Sequence, residues 1–127
     1  MDLTFSTADT DTFKFGESVV AKWQVQFRKD FILEVLEHPV VAFDGQRPVG
    51  LFEVTYDYFE DVMWLDALWV HPSDRHKGYG SAIVNYLLET CLYSKIKLFA
   101  ANHSAPFYEK HGFNRTLGSY YVKDLAH

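Results

Sequence analysis

Apolar and polar positions recur along this chain with two periods, near two and near 3.6, and the switches between them outline the elements. Leu3 to Ser6 reads as a short first strand. From Glu17 to Glu37 the pattern is mixed. Val20, Trp23 and Phe27 fit one face of a helix, while Trp23, Val25 and Phe27 also alternate as a strand does. Phe31 to Leu36 reads as helix, which Pro39 stops. One or two helices are expected there. Pro39 to Phe43 is a strand, Asp44-Gly45 a tight turn and Val49 to Tyr58 a second strand, which together predict a hairpin. Glu60-Asp61 turns the chain into a third strand, Val62 to Val70, which ends before Pro72.

The period then changes. A helix is expected from about Gly78 to Tyr93, because Ile83, Val84, Leu87, Leu88, Cys91 and Leu92 share one broad face. Lys95 to Ala101 reads as a strand. A helix separates it from Val62–Val70, so the two strands should be parallel with a right-handed crossover. Ser104 to His111 is a short helix, with Ser104 as its cap, Pro106 in its first turn and Gly112 at its left-handed end. Tyr120 to Leu125 is a last strand. This order predicts a mixed α/β fold in a single domain over residues 1–127.

Composition narrows the class. The chain is 48% hydrophobic and 17% aromatic, enough for a real core in 127 residues. No run reaches membrane-span length, and Met1 to Phe5 lacks a signal-peptide pattern. The single cysteine, Cys91, excludes an internal disulfide. A soluble, cytoplasmic protein is expected, with no membrane partner. The net charge of −5 argues against general nucleic-acid binding and for a cationic partner. The six histidines show no zinc-ligand spacing, so no metal is expected. His38, His71, His103 and His111 read as surface or capping residues.

One stretch carries candidate chemistry. Arg75-His76-Lys77-Gly78-Tyr79-Gly80 lies between a strand and the start of an apolar helix. Glycine costs chain entropy at a helix start, so something should offset it. A helix N-terminus presents outward backbone N–H groups and the positive end of its dipole. Gly78 and Gly80 let a ligand approach the backbone, and Arg75 and Lys77 add charge. The stretch therefore reads as a phosphate site. It is not a Walker loop, since no G-K-[ST] stands at the required spacing, nor a dinucleotide fingerprint, since Ile83 occupies the third glycine position.

Arg75 to Gly80 matches the Q/R-x-x-G-x-G/A signature of the GCN5-related N-acetyltransferases. "LWVHP" before it resembles that family's strand end, "FYEKHGF" (Phe107 to Phe113) resembles its second signature, and "YYVKDL" (Tyr120 to Leu125) its closing strand. The resemblance runs from about Pro39 to the C-terminus. It implies a fold whose third hairpin strand and the strand after the helix splay apart to admit acetyl-CoA. The pyrophosphate would lie on the N–H groups of His76, Lys77, Gly78, Tyr79, Gly80 and Ser81. The pantetheine arm would pair with the backbone of Leu68, Trp69 and Val70. Asn102 matches an asparagine that touches the cofactor arm, although it stands one residue nearer Tyr108 than is common.

Acyl transfer to an amine needs two proton movements. An amine with a pKa of about 10 must lose a proton before it attacks, and the departing thiolate gains from a proton donor. The resemblance implies Tyr108 as that donor. Asp66 is the candidate base, a carboxylate inside the apolar run "VMWLDALWV", where it should be paired or face water. The resemblance points to the same strand position, where the polyamine acetyltransferases of the family carry a glutamate. Glu53 and a water chain are the alternatives. Cys91 could serve a ping-pong route but shares its helix face with Leu87 and Leu88, which suits a core thiol. Trp64, Trp69, Tyr56, Tyr58 and Phe59 should be mostly core, with some lining an acceptor pocket. The expected activity is acetyl transfer to a primary amine by direct attack in a ternary complex. Two acceptors compete, a small cationic amine, slightly favoured, and a protein lysine or N-terminal amine; a non-catalytic acyl-CoA-binding module is the third reading. A homodimer is compatible with each.

Overall fold

The computed structural model describes residues 2–7, 23 and 37–125. Among the described residues seven strands, β1 to β7 in chain order, are joined in the order β1-β2-β3-β4-β5-β7-β6, with two helices between them in sequence. The chain divides into two compact units, residues 1–53 with 67–83 and residues 54–66 with 84–127. The helices expected between Glu17 and Glu37 lie outside the described residues, apart from Trp23, which is helical and buried.

In the first unit β1 (Leu3–Thr7) pairs antiparallel with β2 (Val40–Asp44), and β2 pairs antiparallel with β3 (Arg47–Asp57). The hairpin turns at Gly45 and Gln46, one residue later than expected, since Asp44 already pairs with Arg47. Gly45 adopts φ +64°, a left-handed conformation that glycine takes without a Cβ penalty. β3 runs into β4 (Val62–Val70) through a turn in which Asp57 Oδ1 accepts the N–H groups of Phe59 and Glu60, both at 3.1 Å. Asp61, at φ 57°, completes that turn. Gly50 is required by packing, because a Cβ there would stand 2.5 Å from the carbonyl oxygen of Trp69. Trp23, Val41, Phe43, Leu51 and Trp69 form the core of this unit. Burying each aliphatic side chain contributes about 1.5–3 kcal/mol.

In the second unit β4 meets β5 (Lys95–Phe99) in a parallel ladder of three pairs, Val62 with Lys95 through Trp64 with Lys97. The ladder stops there, while Leu98 and Phe99 continue to pair with Tyr121 and Tyr120 of β7 (Tyr120–Asp124). α1 (Tyr79–Thr90) turns Val84 and Leu87 inward and leaves Asn85 and Glu89 exposed. It ends three residues before the expected limit. Thr90 Oγ1 donates back to the Tyr86 carbonyl at 2.7 Å, and the chain then leaves the helix, so Leu92 is 89% exposed rather than on the apolar face. α2 (Ala105–Lys110) has Pro106 in its first turn and Gly112 at φ +87° beyond its end. Ser104 makes no side-chain cap, because its own backbone is already helical at φ −98°, ψ −10°. An additional strand, β6 (Asn114–Leu117), pairs with β7 at the sheet edge. All four of its residues are exposed, so no apolar alternation announced it.

Among the described residues no helix is long and apolar enough to cross a membrane. No group of three or more His, Cys, Asp or Glu among them is placed to hold a metal ion.

Candidate functional site

The glycine loop belongs to the first unit and is assembled from the end of β4. The His71 N–H donates to the Val49 carbonyl at 2.9 Å, which keeps the chain on β3 one residue past the strand. Pro72, which lacks an N–H, opens a 3₁₀ turn over Pro72–Asp74. His71 caps it: Nδ1 accepts the Ser73 N–H at 3.2 Å, with Ser73 Oγ 2.7 Å from the same nitrogen. The imidazole packs against Trp23 and Trp69, with ring centroids 5.5 and 5.7 Å away. The capping role expected of His71 is therefore present.

The loop proper then bends through two left-handed residues, His76 at φ 64° and Gly78 at φ 88°. Histidine tolerates that region better than most residues, though it remains uncommon for any side chain with a Cβ. α1 begins at Tyr79, and its opening hydrogen bond runs from the Ala82 N–H to the Gly78 carbonyl at 3.0 Å. Tyr79 and Gly80 thus occupy the first helical positions, whose N–H groups have no acceptor one turn back inside the helix. Exposed N–H groups at a helix start are a general anion-binding feature of protein backbones.

The side chains of this stretch are already engaged. Arg75 Nε donates to the Val70 carbonyl at 2.9 Å. Lys77 Nζ lies 3.7 Å from Asp74 Oδ1. Tyr79 points its ring inward, where it is buried; its hydroxyl donates to Asp44 Oδ2 at 2.6 Å and accepts from Arg47 Nη2 at 3.1 Å. Arg47 Nη1 in turn pairs with Asp74 Oδ1. Asp74 is 3% exposed and is the one charged residue in the buried set among the described residues. Burial alone would raise its carboxyl, but the hydrogen bond and charge of Arg47, with Lys77 and His71, hold it below the usual carboxylate value. The Tyr79 hydroxyl is raised by its bond to Asp44. Asp74, Arg47 and Asp44 were not anticipated. Only the acid–base pair at Asp74 and Lys77, three apart, is visible locally; Arg47 lies 27 residues upstream.

Along β4, buried Met63, Leu65, Ala67 and Trp69 alternate with the more open Trp64, Asp66, Leu68 and Val70. Leu68 and Val70 are half-buried and Trp69 is buried. Asp66 is exposed, which meets the condition for a carboxylate in that run. Glu53, the alternative base, accepts the His38 N–H on its Oε1.

The remaining candidates belong to the second unit. Asn102 lies exposed in the turn before α2. Tyr108 is buried on α2, packed edge-on against Phe107 and Phe113 at 5.1 and 5.8 Å between centroids. Its carbonyl accepts from both His111 and Phe113, which fixes the turn after the helix around it. Burial pushes its hydroxyl up to about 12. Cys91 is buried as a core thiol, raised by burial, with Sγ 3.8 Å from the Tyr93 carbonyl. Three of the aromatics expected in the core are instead exposed: Tyr56 at 50%, Tyr58 at 78% and Phe59 at 102%. They sit at and beyond the end of β3, and Tyr56 and Tyr58 pack on Tyr93 at 5.1 and 6.0 Å. Trp64, Phe99 and Tyr120 cluster at 5.4–5.8 Å, with Lys97 Nζ 5.8 Å from the Trp64 ring and 5.6 Å from that of Tyr120.

A strand end, a basic loop with two left-handed residues and a helix start thus stand together on a mixed sheet. The Acetyltransferase (GNAT) family matches residues 5–113, and the chain belongs to that family. Solved structures agree on the fold. Tetrahymena GCN5 is similar at a TM-score of 0.75 and 12% identity, over 97% of this chain and 96% of that one. A GNAT-family acetyltransferase from Staphylococcus aureus Mu50 is similar at 0.73 and 13%, over 98% and 100%. N-acetylglutamate synthase from Neisseria gonorrhoeae, complexed with coenzyme A and N-acetyl-glutamate, is similar at 0.71 and 12%, over 100% of this chain and 36% of that one. No curated protein matches the chain.

Proposed function

We propose that this chain is an acetyl-CoA-dependent N-acetyltransferase that acetylates a primary amine by direct attack in a ternary complex. When bound, acetyl-CoA would supply an acetyl group activated as a thioester. The observation that carries the reading is the backbone course at His76 and Gly78, both left-handed, running into a helix that opens at Tyr79. Such a turn fits a pyrophosphate, which would rest on the first-turn N–H groups of Tyr79 and Gly80 with Arg75 and Lys77 adding charge. Leu68, Trp69 and Val70 would hold the arm through their backbone, and Asn102 would touch it. N-acetylglutamate synthase, a relative in fold, is itself seen with coenzyme A.

Two residues would move the protons. Asp66 takes one from the acceptor ammonium, leaving a lone pair to attack the acetyl carbon. Tyr108 would give its hydroxyl proton to the departing thiolate as the carbon–sulfur bond breaks, the new amide nitrogen would shed its second proton to solvent, and the tyrosine would recover one from solvent. A hydroxyl held near 12 stays protonated at neutral pH and so is available as a donor. A small cationic amine is favoured as acceptor, because a net charge of −5 suits a cationic partner. The test is thiol release from acetyl-CoA with a panel of diamines, monoamines and lysine peptides. Release that needs a small cationic amine supports the reading. Coenzyme A that neither shifts the melting temperature nor yields thiol with any amine overturns it.

A further inference from the structure

A buried carboxylate at the root of an anion site is an unexpected placement. Asp74 immediately precedes Arg75, and its Oδ1 lies 3.7 Å from Lys77 Nζ. A negative charge there opposes a phosphate on the same loop and competes for the lysine. Arg47 counters it from the hairpin turn: Nη1 pairs with Asp74 Oδ1, while Nη2 reaches the Tyr79 hydroxyl at 3.1 Å. Tyr79 is also the first residue of α1, and its hydroxyl is anchored on Asp44 at 2.6 Å. The β2–β3 turn thus grips the loop on both sides of its left-handed residues.

We propose that Arg47 is a positioning residue for phosphate binding: it neutralises Asp74, so that Lys77 and the start of α1 remain available to a phosphate-bearing ligand. This rests on the proposed function and adds to it a residue from outside both signatures. Among the described residues the other cation paired with Asp74 is Lys77, at 3.7 Å; without Arg47 the carboxylate would draw on that lysine alone, at the expense of the ligand.

A scaffold role and a charge role make opposite predictions. If Arg47 only braces the hairpin, Arg47→Gln and Asp74→Asn break the same pair and should weaken ligands alike. If it neutralises Asp74, Arg47→Gln should weaken coenzyme A binding by about tenfold, the scale of one close charge pair. Asp74→Asn should leave that affinity unchanged or tighter, and the double variant should regain most of the loss. Pantetheine, the same arm without phosphates, should bind all four proteins equally. Titration calorimetry at low salt, with circular dichroism to verify folding, reads these outcomes. Equal losses in both single variants, no recovery in the double variant, or parallel losses for pantetheine would each overturn the assignment. Should Arg47→Gln fail to fold, Arg47→Lys at two salt concentrations carries the comparison. A lysine retains the charge without the fork, so preserved affinity supports neutralisation and a loss indicates bracing. Inorganic pyrophosphate serves as a second probe. A wild-type chain that binds it but not coenzyme A would sink the acetyltransferase reading and still allow the charge comparison to be made. Binding of neither would overturn both.

Discussion

Arg75 Nε donates to the Val70 carbonyl at 2.9 Å, so the first basic residue of the signature folds back on the last carbonyl of β4. Arg75 therefore shapes the corner between strand and loop as well as placing charge there. Arg75→Ala should weaken coenzyme A binding by about 1–3 kcal/mol, the scale of a charge-assisted hydrogen bond. The loss should shrink at high salt, because the residue is exposed. Calorimetry that finds wild-type affinity at low salt would remove Arg75 from the site.

Gly80 is the second residue of α1 and sits where a phosphate would meet the first turn. Coenzyme A should raise the melting temperature of the wild-type chain by mass action. Gly80→Val places a branched side chain over those N–H groups and should abolish the shift. A folded Gly80→Val protein with a normal shift would show that the loop is not the phosphate site.

What the sequence revealed, and what it hid, follows from how far each signal reaches along the chain. β4 was legible end to end, since Asp61 and Pro72 bracket an apolar run. The start of α1 was legible because two glycines precede a helical period. Its end was not, because Cys91 and Leu92 keep that period after the backbone has left the helix. β6 has no buried residue and so no pattern to read. Tyr56, Tyr58 and Phe59 looked like core because strand aromatics are often buried, yet their burial depends on a covering layer that no local pattern encodes. The loop was legible as a basic, glycine-containing turn before a helix, but its support was not. Asp74 pairs with Arg47 27 residues away, and Tyr79 with Asp44 35 away. Such contacts exist only once the hairpin is folded against the loop.

The Asp74 carboxyl should also contribute to the acid limit of stability. Its folded value lies below the ordinary 3.8, since the Arg47 hydrogen bond and neighbouring charges outweigh burial. A carboxyl lowered on folding stabilises the chain fully above its unfolded value, and the contribution disappears as pH falls through the folded value. Asp74→Asn should therefore melt below wild type at pH 7, with the gap closing only beneath pH 3.8. Melting curves that stay equally separated down to the acid transition would show that another group sets the limit.

Cys91 offers a check on the route of transfer. Its thiol is buried and raised by burial, the opposite of an activated nucleophile. Cys91→Ala should retain turnover with the best amine once allowance is made for a modest loss of stability. Initial-rate lines at varied acetyl-CoA and amine should intersect. Parallel lines, or an acetylated Cys91 in a peptide digest, would replace direct attack with a ping-pong route.

Tyr108 carries the most specific chemical claim. Tyr108→Phe retains the ring that packs on Phe107 and Phe113 and removes only the hydroxyl. If that hydroxyl protonates the thiolate, kcat should fall by about 10²–10⁴, the range for a positioned acid, with little change in acetyl-CoA affinity. The loss should be smaller for an acyl donor whose thiol has a lower pKa, because that thiolate needs less help. The pH profile adds a second constraint. A hydroxyl held near 12 keeps its proton almost entirely through pH 10, so the wild-type rate should show no basic limb from Tyr108 between pH 7 and pH 10. Over the same range Asp66→Asn should recover as free amine accumulates. A Phe variant with wild-type kcat, in single-turnover measurements that isolate the chemical step from product release, would end the assignment.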